Sequence, residues 1–379
     1  MSFINTKLFG KRNSYARTQT QFPNFQKPLA LGCFSLDQNR VNKNTTDSLR
    51  YFRMPSIFPL NLNTDNEQAK TKPTGFSKNE RLFPMLRFIL DHQEDLLTNK
   101  LDSVNTRAVE EIDFICFRGS LRVVLKTPFE GREGWCIQAT KFKGNIYLNE
   151  KEQETYDEYS DQQRYAYGCG LKFEQHCLVA SPYEEPVTNV PVEEAIEFLC
   201  VFKRQFSNIN LLYGSVMDGI LSDEPVMNIE NNDILNSLKF MELSCSLRPI
   251  TEQQHRNFCR FKCRNWWCMS FLAGINDNMI GYRNESGFVD EIVHMDTESL
   301  VQQGANFWDP LQCVDFLVKF LNMVKREMKD IDCPHTVYEF YFKPPSREIT
   351  YRIYAGKSSN TLLSDWYVTA LQNRFVEVP

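Results

Sequence analysis

Two short stretches carry acids whose spacing bears on chemistry. "YGSVMDGI", residues 213–220, holds Asp218, and "FMELSCSL", residues 240–247, holds Glu242. Both read as strands. Residues two apart on a strand face the same side, so Val216 shares a face with Asp218 and Ser244 with Glu242. A metal-dependent phosphodiesterase on this frame needs acid-x-acid on the first strand and acid-x-lysine on the second. Clustered carboxylate oxygens hold hard Mg²⁺ or Mn²⁺ ions. Two such ions clamp the attacking and leaving oxygens of a phosphodiester, and a lysine offsets the charge that develops. Here a valine replaces one acid and a serine the lysine. Two ordinary strands with one solvated acid each satisfy the same pattern.

A second group lies on "HRNFCRFKCRNWW", a helix by its spacing. Arg256, Arg260 and Arg264 fall at i, i+4 and i+8, one basic stripe, with Phe258, Phe261, Trp266 and Trp267 interleaved. Beside a cleft, such a helix can track phosphates and offer rings for stacking; away from one, it is a solvated face over a core. Trp266 and Trp267 read as core. His255, Cys259 and Cys263 share the same spacing, but zinc needs a fourth ligand or water, and the thiols read as inward packing. No Ser–His–Asp arrangement or phosphate-cradling glycine loop stands out.

The elements that must position these residues come from a chain of 379 residues, 42% hydrophobic. That is enough for one large core or two smaller ones. The net charge of −5 gives no bulk affinity for nucleic acid, so any such contact needs a local basic patch. Twelve cysteines sit in apolar runs such as "FICFRG" and "EFLCVF" without a secreted framework's spacing. With no signal peptide, they read as reduced thiols of the cytoplasm or nucleus. No apolar run approaches the ~20 residues of a membrane span. "WWCMSFLAGI" comes nearest and reads as a buried helix end and turn.

Residues 1–26 are expected to be a flexible basic tail, and residues 61–80 an exposed polar loop. "RLFPMLRFILDHQEDLL" has helical spacing. "EIDFICFRGSLRVVLKTPF" and "GWCIQATKFKGNIYLNE" read as strand runs broken by Pro128, Gly131, Gly134 and Gly144. Residues 151–180 read as helix. Strands and helices alternate from "NMIGYRNESGFVDEI" to "DWYVTALQNRF". Residues 27–379 are expected to form a single mixed α/β domain.

The order of these stretches resembles a known family. "FICFRGSLRVVLKTPFEGREGWCIQATKFKGNIYL", "GLKFEQHCL", "NLLYGSVMDG", "FMELSCSL", "FCRFKCRNWWCMSFLAGI", "GYRNESGFV" and "WDPLQCVDFL" are similar to the DXO family of decapping exoribonucleases, over roughly residues 27–372. The resemblance implies two twisted mixed β-sheets with flanking helices and a central cleft. It puts the family's F-R-G arginine, near the substrate phosphate, on Arg118. It makes Glu174, Asp218 and Glu242 the metal ligands. It also marks three departures: Val216 for an acid, Ser244 for the lysine, and Met269 where W-W-x-Q has glutamine. Lys239 points off the site face of a regular strand, and Lys262 reads as an RNA or surface residue, so neither replaces the lysine.

The resemblance implies two alternative functions. One is a catalytically inactive protein like the family's degenerate insect germline member. It requires no cofactor, and at most a residual Mg²⁺ or Mn²⁺ sits on the retained acids. It acts in the nucleus with a Rhino-type chromodomain protein and a Deadlock-type adaptor, shielding nascent piRNA precursors from 5′-end processing, splicing and termination. RNA would lie along Arg118, Arg256, Arg260, Lys262 and Arg264, and no membrane is involved. The other is an active metal-dependent decapping or 5′–3′ exoribonuclease.

Overall fold

Near-continuous apolar runs, buried on both faces, form the central strands. The structure is a computed structural model that describes residues 26–63, 82–92, 96, 112–151, 159–344 and 346–373. The expected tail, save residue 26, and most of the expected loop over 61–80 lie outside the described residues.

The chain runs β1 (Leu29–Leu36), β2 (Asn42–Lys43), β3 (Tyr51–Phe52), β4 (Leu60–Asn61), α1 (Phe83–Asp91), β5 (Phe114–Phe117), α2 (Arg118–Lys126), β6 (Trp135–Phe142) and β7 (Asn145–Lys151). Next come α3 (Asp161–Cys177), β8 (Leu178–Val179), β9 (Glu197–Phe206), β10 (Ile209–Met217), β11 (Gly219–Ile220), α4 (Asn232–Ser237) and β12 (Phe240–Leu247). The last third holds α5 (Glu252–Asn257), a π-helical turn (Phe258–Lys262), α6 (Cys263–Ala273), β13 (Asp277–Arg283), β14 (Phe288–Asp296), α7 (Thr297–Gly304), α8 (Pro310–Glu327), β15 (Val337–Phe342), β16 (Ile349–Tyr354) and α9 (Asp365–Asn373).

Among the described residues there are two mixed sheets. One has nine strands in the order β16-β15-β6-β7-β5-β10-β9-β1-β2, the other seven in the order β4-β14-β13-β12-β11-β3-β8. The largest apolar cluster joins them and takes in the inner faces of α2, α6 and α8, including Leu121, Trp267 and Phe316. A second fills the space under α1 and α9 on the other face of the nine-stranded sheet. A third lies between α3 and the seven-stranded sheet, around Phe173, Met241 and Leu243. Removing such surface from water, at ~25 cal/mol per Å², is what holds the layers together.

Two local expectations are corrected. "RGSLRVVLK" is helix α2, not strand. A short run of consecutive apolar residues fits a buried helix as well as a strand, and Leu121, Val124 and Leu125 bury into the central core. The expected single helix over the basic stretch is interrupted by the π-helical turn at Phe258–Lys262. "WWCMSFLAGI" is the end of α6, which stops at Gly274 in the left-handed region, φ 67°, where glycine carries no Cβ penalty. No helix among the described residues is long and apolar enough to cross a membrane. All twelve cysteines are unpaired.

Candidate active site

Asp218 sits where the chain leaves one sheet for the other. β10 belongs to the nine-stranded sheet and ends at Met217; β11, in the seven-stranded sheet, begins at Gly219. The strand alternation expected to put Val216 and Asp218 on one face therefore stops between them. Val216 packs into the apolar layer under α1 and α9. Asp218 Oδ2 accepts the Leu243 backbone N–H at 2.7 Å. β11 pairs with β12 at Gly219 and Met241, which brings Glu242 alongside.

Arg118 opens α2 directly after β5, and β5 runs parallel to β10 with Phe117 opposite Gly214. A Cβ at Gly214 would lie 2.6 Å from the Phe117 ring, so glycine there lets β5 and its arginine seat against β10. Arg118 Nη1 is ion-paired to Glu242 Oε1, with side chains only 9% and 5% exposed. Its Nη2 donates to the Val216 carbonyl at 3.1 Å, and Nη1 also reaches the Met269 carbonyl at 3.4 Å.

Glu174 comes from α3, half-buried, beside the buried Phe173 and Cys177. The helix packs so close that a Cβ on Gly281 would lie 2.4 Å from the Phe173 ring. Burial first, then the charges of Glu242 and Glu174, push the Asp218 carboxyl well above its ordinary range; the Leu243 N–H and Arg118 pull the other way. The three acids thus share one electrostatic neighbourhood.

The arrangement does not fit a divalent ion as it stands. Such an ion needs several free oxygens converging at about 2.0–2.6 Å. Glu242 Oε1 is taken by a guanidinium and Asp218 Oδ2 by an amide N–H. No three His, Cys, Asp or Glu side chains among the described residues are grouped to hold a metal.

Of the departed positions, Val216 and Met269 meet the site through their backbone carbonyls on Arg118. Ser244, two residues on from Glu242, is half-buried. Met269 is half-buried on α6, and its Sδ accepts Asn265 Nδ2 at 3.9 Å. Asn265 Oδ1 in turn accepts Arg122 Nη1 at 2.9 Å. Lys239 is exposed and supplies its backbone carbonyl to the Leu221 N–H.

The expected basic stripe breaks up. Arg264 is buried at 2% exposure, with Nη2 on Glu130 at 2.7 Å and Nη1 on the Phe129 carbonyl at 2.5 Å. It is a core ion pair and not a solvent-facing contact. Arg256, Arg260 and Lys262 are exposed. The extra residue of the π-helical turn rotates the rest of the helix by about 100°, so the i, i+4, i+8 register does not hold. Arg260 instead joins exposed Arg132 over Phe261, at 5.1 and 4.4 Å from the ring centroid. Sequence spacing misses Arg132, because it lies in a loop more than a hundred residues earlier. His255 Nδ1 and Cys259 Sγ are 3.3 Å apart, while Cys263 Sγ turns to Gln303 at 4.0 Å.

A two-sheet nuclease architecture with a carboxylate site at the sheet junction is the class that fold and site define. The chain belongs to the family described as RAI1 like PD-(D/E)XK nuclease, whose model matches residues 26–368. It is 31% identical to the decapping and exoribonuclease protein Rai1 of Drosophila melanogaster, over 97% of each chain. It is 24% identical to protein cutoff of the same organism, over 91% of this chain and 88% of the relative. The fold is similar to Scheffersomyces stipitis Rai1, solved in complex with (3′-NADP)⁺ and calcium ion. That match has a TM-score of 0.74 at 18% identity, covering 92% of this chain and 96% of that one.

Proposed function

We propose that this protein is a catalytically inactive member of its family that keeps the nuclease fold as a platform for RNA 5′ ends and protein partners. The observation that carries the reading is the Arg118–Glu242 ion pair at the centre of a site that lacks an acid at 216, a lysine at 244 and an amide at 269. Losing one preorganised charged group costs about 10²–10³ in rate. Three losses in one unit need not multiply, yet one is enough to make turnover slow. The likeness to Cutoff and the resemblance in the site support a nuclear role on nascent piRNA precursors, with a Rhino-type chromodomain protein and a Deadlock-type adaptor. RNA would meet Arg132, Phe261, Arg260 and Lys262 rather than the buried Arg264.

A second reading is an active metal-dependent decapping nuclease. The 31% identity to the Drosophila Rai1 favours it, as do the retained Glu174, Asp218 and Glu242. A cleavage assay separates the two. Purified protein is given 5′-monophosphate, 5′-triphosphate and capped single-stranded RNA with Mg²⁺ or Mn²⁺, beside Glu242→Ala. The inactive reading expects no difference between the two chains. Cleavage that disappears in Glu242→Ala makes this an enzyme. Under the inactive reading, Val216→Glu with Ser244→Lys and Met269→Gln gains activity that the parent lacks.

A further inference from the structure

We propose that Arg118 is the resident cation of the carboxylate site, occupying internally the place a divalent ion would need. The inference rests on the inactive reading of the same cleft. Three acids share one electrostatic neighbourhood, and like charges so placed need a counter-charge. The structure supplies one from the chain itself. The guanidinium lies on Glu242, with both side chains under 10% exposed. Two more of its N–H groups donate to the Val216 and Met269 carbonyls at 3.1 and 3.4 Å.

An arginine suits this task for physical reasons. Its fork matches carboxylate and carbonyl oxygens, and it stays charged at every accessible pH. A metal must displace it to reach Glu242 Oε1, and an arginine stripped of its partner would be left charged in a nearly closed space. The carbonyls of 216 and 269 are backbone groups, present whatever the side chain. What the departures change is the competition. A lysine at 244, on the same face as Glu242, would contend for that carboxylate; a serine does not. A glutamate at 216 would add a charge that one guanidinium cannot balance; valine packs away into the apolar layer instead.

Mn²⁺ binding to the metal-stripped full-length chain tests this. Bound ion is counted by the loss of free Mn²⁺ electron-spin resonance signal, for wild type, Glu242→Gln, Arg118→Gln and the double variant. The expected result is that wild type and Glu242→Gln bind Mn²⁺ equally, since Glu242 is not available to metal. Arg118→Gln gains one site at least tenfold tighter than any in wild type, and adding Glu242→Gln removes it. Wild-type binding tighter than that of Glu242→Gln overturns the proposal, and so does a folded Arg118→Gln chain that gains no site. Should Arg118→Gln not fold, the comparison of wild type with Glu242→Gln still decides. Glu242-dependent metal binding in wild type without RNA cleavage overturns the internal cation while leaving the inactive reading in place; metal-dependent cleavage overturns both.

Discussion

Among the described residues, two buried arginine–carboxylate pairs are built for different ends. Arg264 meets Glu130 with side chains 2% and 4% exposed, and each partner has further bonds that tie it down. Arg264 also donates to the Phe129 carbonyl, while Glu130 Oε1 takes the backbone N–H groups of Gly131, Arg132 and Glu133 at 2.9, 3.0 and 3.3 Å. That pair closes on itself and staples the loop after α2 to α6. Arg118 and Glu242 form an equally buried pair, but beside two more carboxylates, Asp218 and Glu174. The first pair is structure, with both Arg264 Nη groups and both Glu130 oxygens bonded and only the Arg264 Nε left without a partner. The second offsets a repulsion that the site creates, which is how a functional site differs from a staple of the same chemistry.

That difference sets the order of the expected stability losses. Glu130→Ala leaves Arg264 charged, buried and unpaired, and should cost about 3–5 kcal/mol. Glu242→Ala also strands an arginine, but it removes a charge that repels Asp218, so about 2–3 kcal/mol is expected. Urea unfolding of the two variants beside wild type measures both. Equal losses would mean that the Glu242 charge does not oppose ionisation of Asp218 in the folded chain.

Asp218→Asn should act in the opposite direction and by less. Burial and the neighbouring acids hold the Asp218 carboxyl well above its ordinary range. The folded chain therefore keeps a proton that the unfolded chain has released. Stability is full below the unfolded value of about 4 and is lost as pH rises through the folded one. Asp218→Asn keeps an acceptor for the Leu243 N–H and removes that loss. In EDTA, the unfolding midpoint of wild type should fall more steeply than that of the variant as pH rises above the unfolded carboxylate value of about 4. Parallel slopes would show that Asp218 is ionised throughout.

How far the sequence reaches depends on the kind of order each residue obeys. Asp218 and Glu242 are legible as acids on neighbouring strands, and the ordered run of stretches is specific enough to imply two sheets and a cleft. The pairing of Arg118 with Glu242 is not legible. It joins residues 124 apart in the chain and depends on a parallel β5–β10 contact that periodicity cannot report. The face of Val216 is misread from the sequence because strand alternation holds only within one strand, and the chain changes sheets at Asp218. α2 reads as strand because Val123, Val124 and Leu125 are consecutive apolar residues, which suit either element.

Arg264 departs from expectation for a different reason, and its departure yields the smallest predicted effect. An unbroken α-helix would place Arg256, Arg260 and Arg264 on one face, and RNA affinity would then fall alike for alanine at each. The π-helical turn at Phe258–Lys262 breaks that equality. Arg260 shares the Phe261 ring with Arg132, whereas Arg256 lies beside His255 and Ile250 around a separate shallow groove. Removing one phosphate contact to a single strand lowers the slope of log affinity against log salt by about 0.7. Arg132→Ala and Arg260→Ala should each show that change with a 5′-monophosphate single-stranded RNA, together with a modest loss of affinity, and Arg256→Ala should show neither. A matching loss for Arg256→Ala would restore the continuous stripe and move the RNA path off the Phe261 ring. A loss confined to Arg132 and Arg260 would place that path across two segments that only the fold brings together.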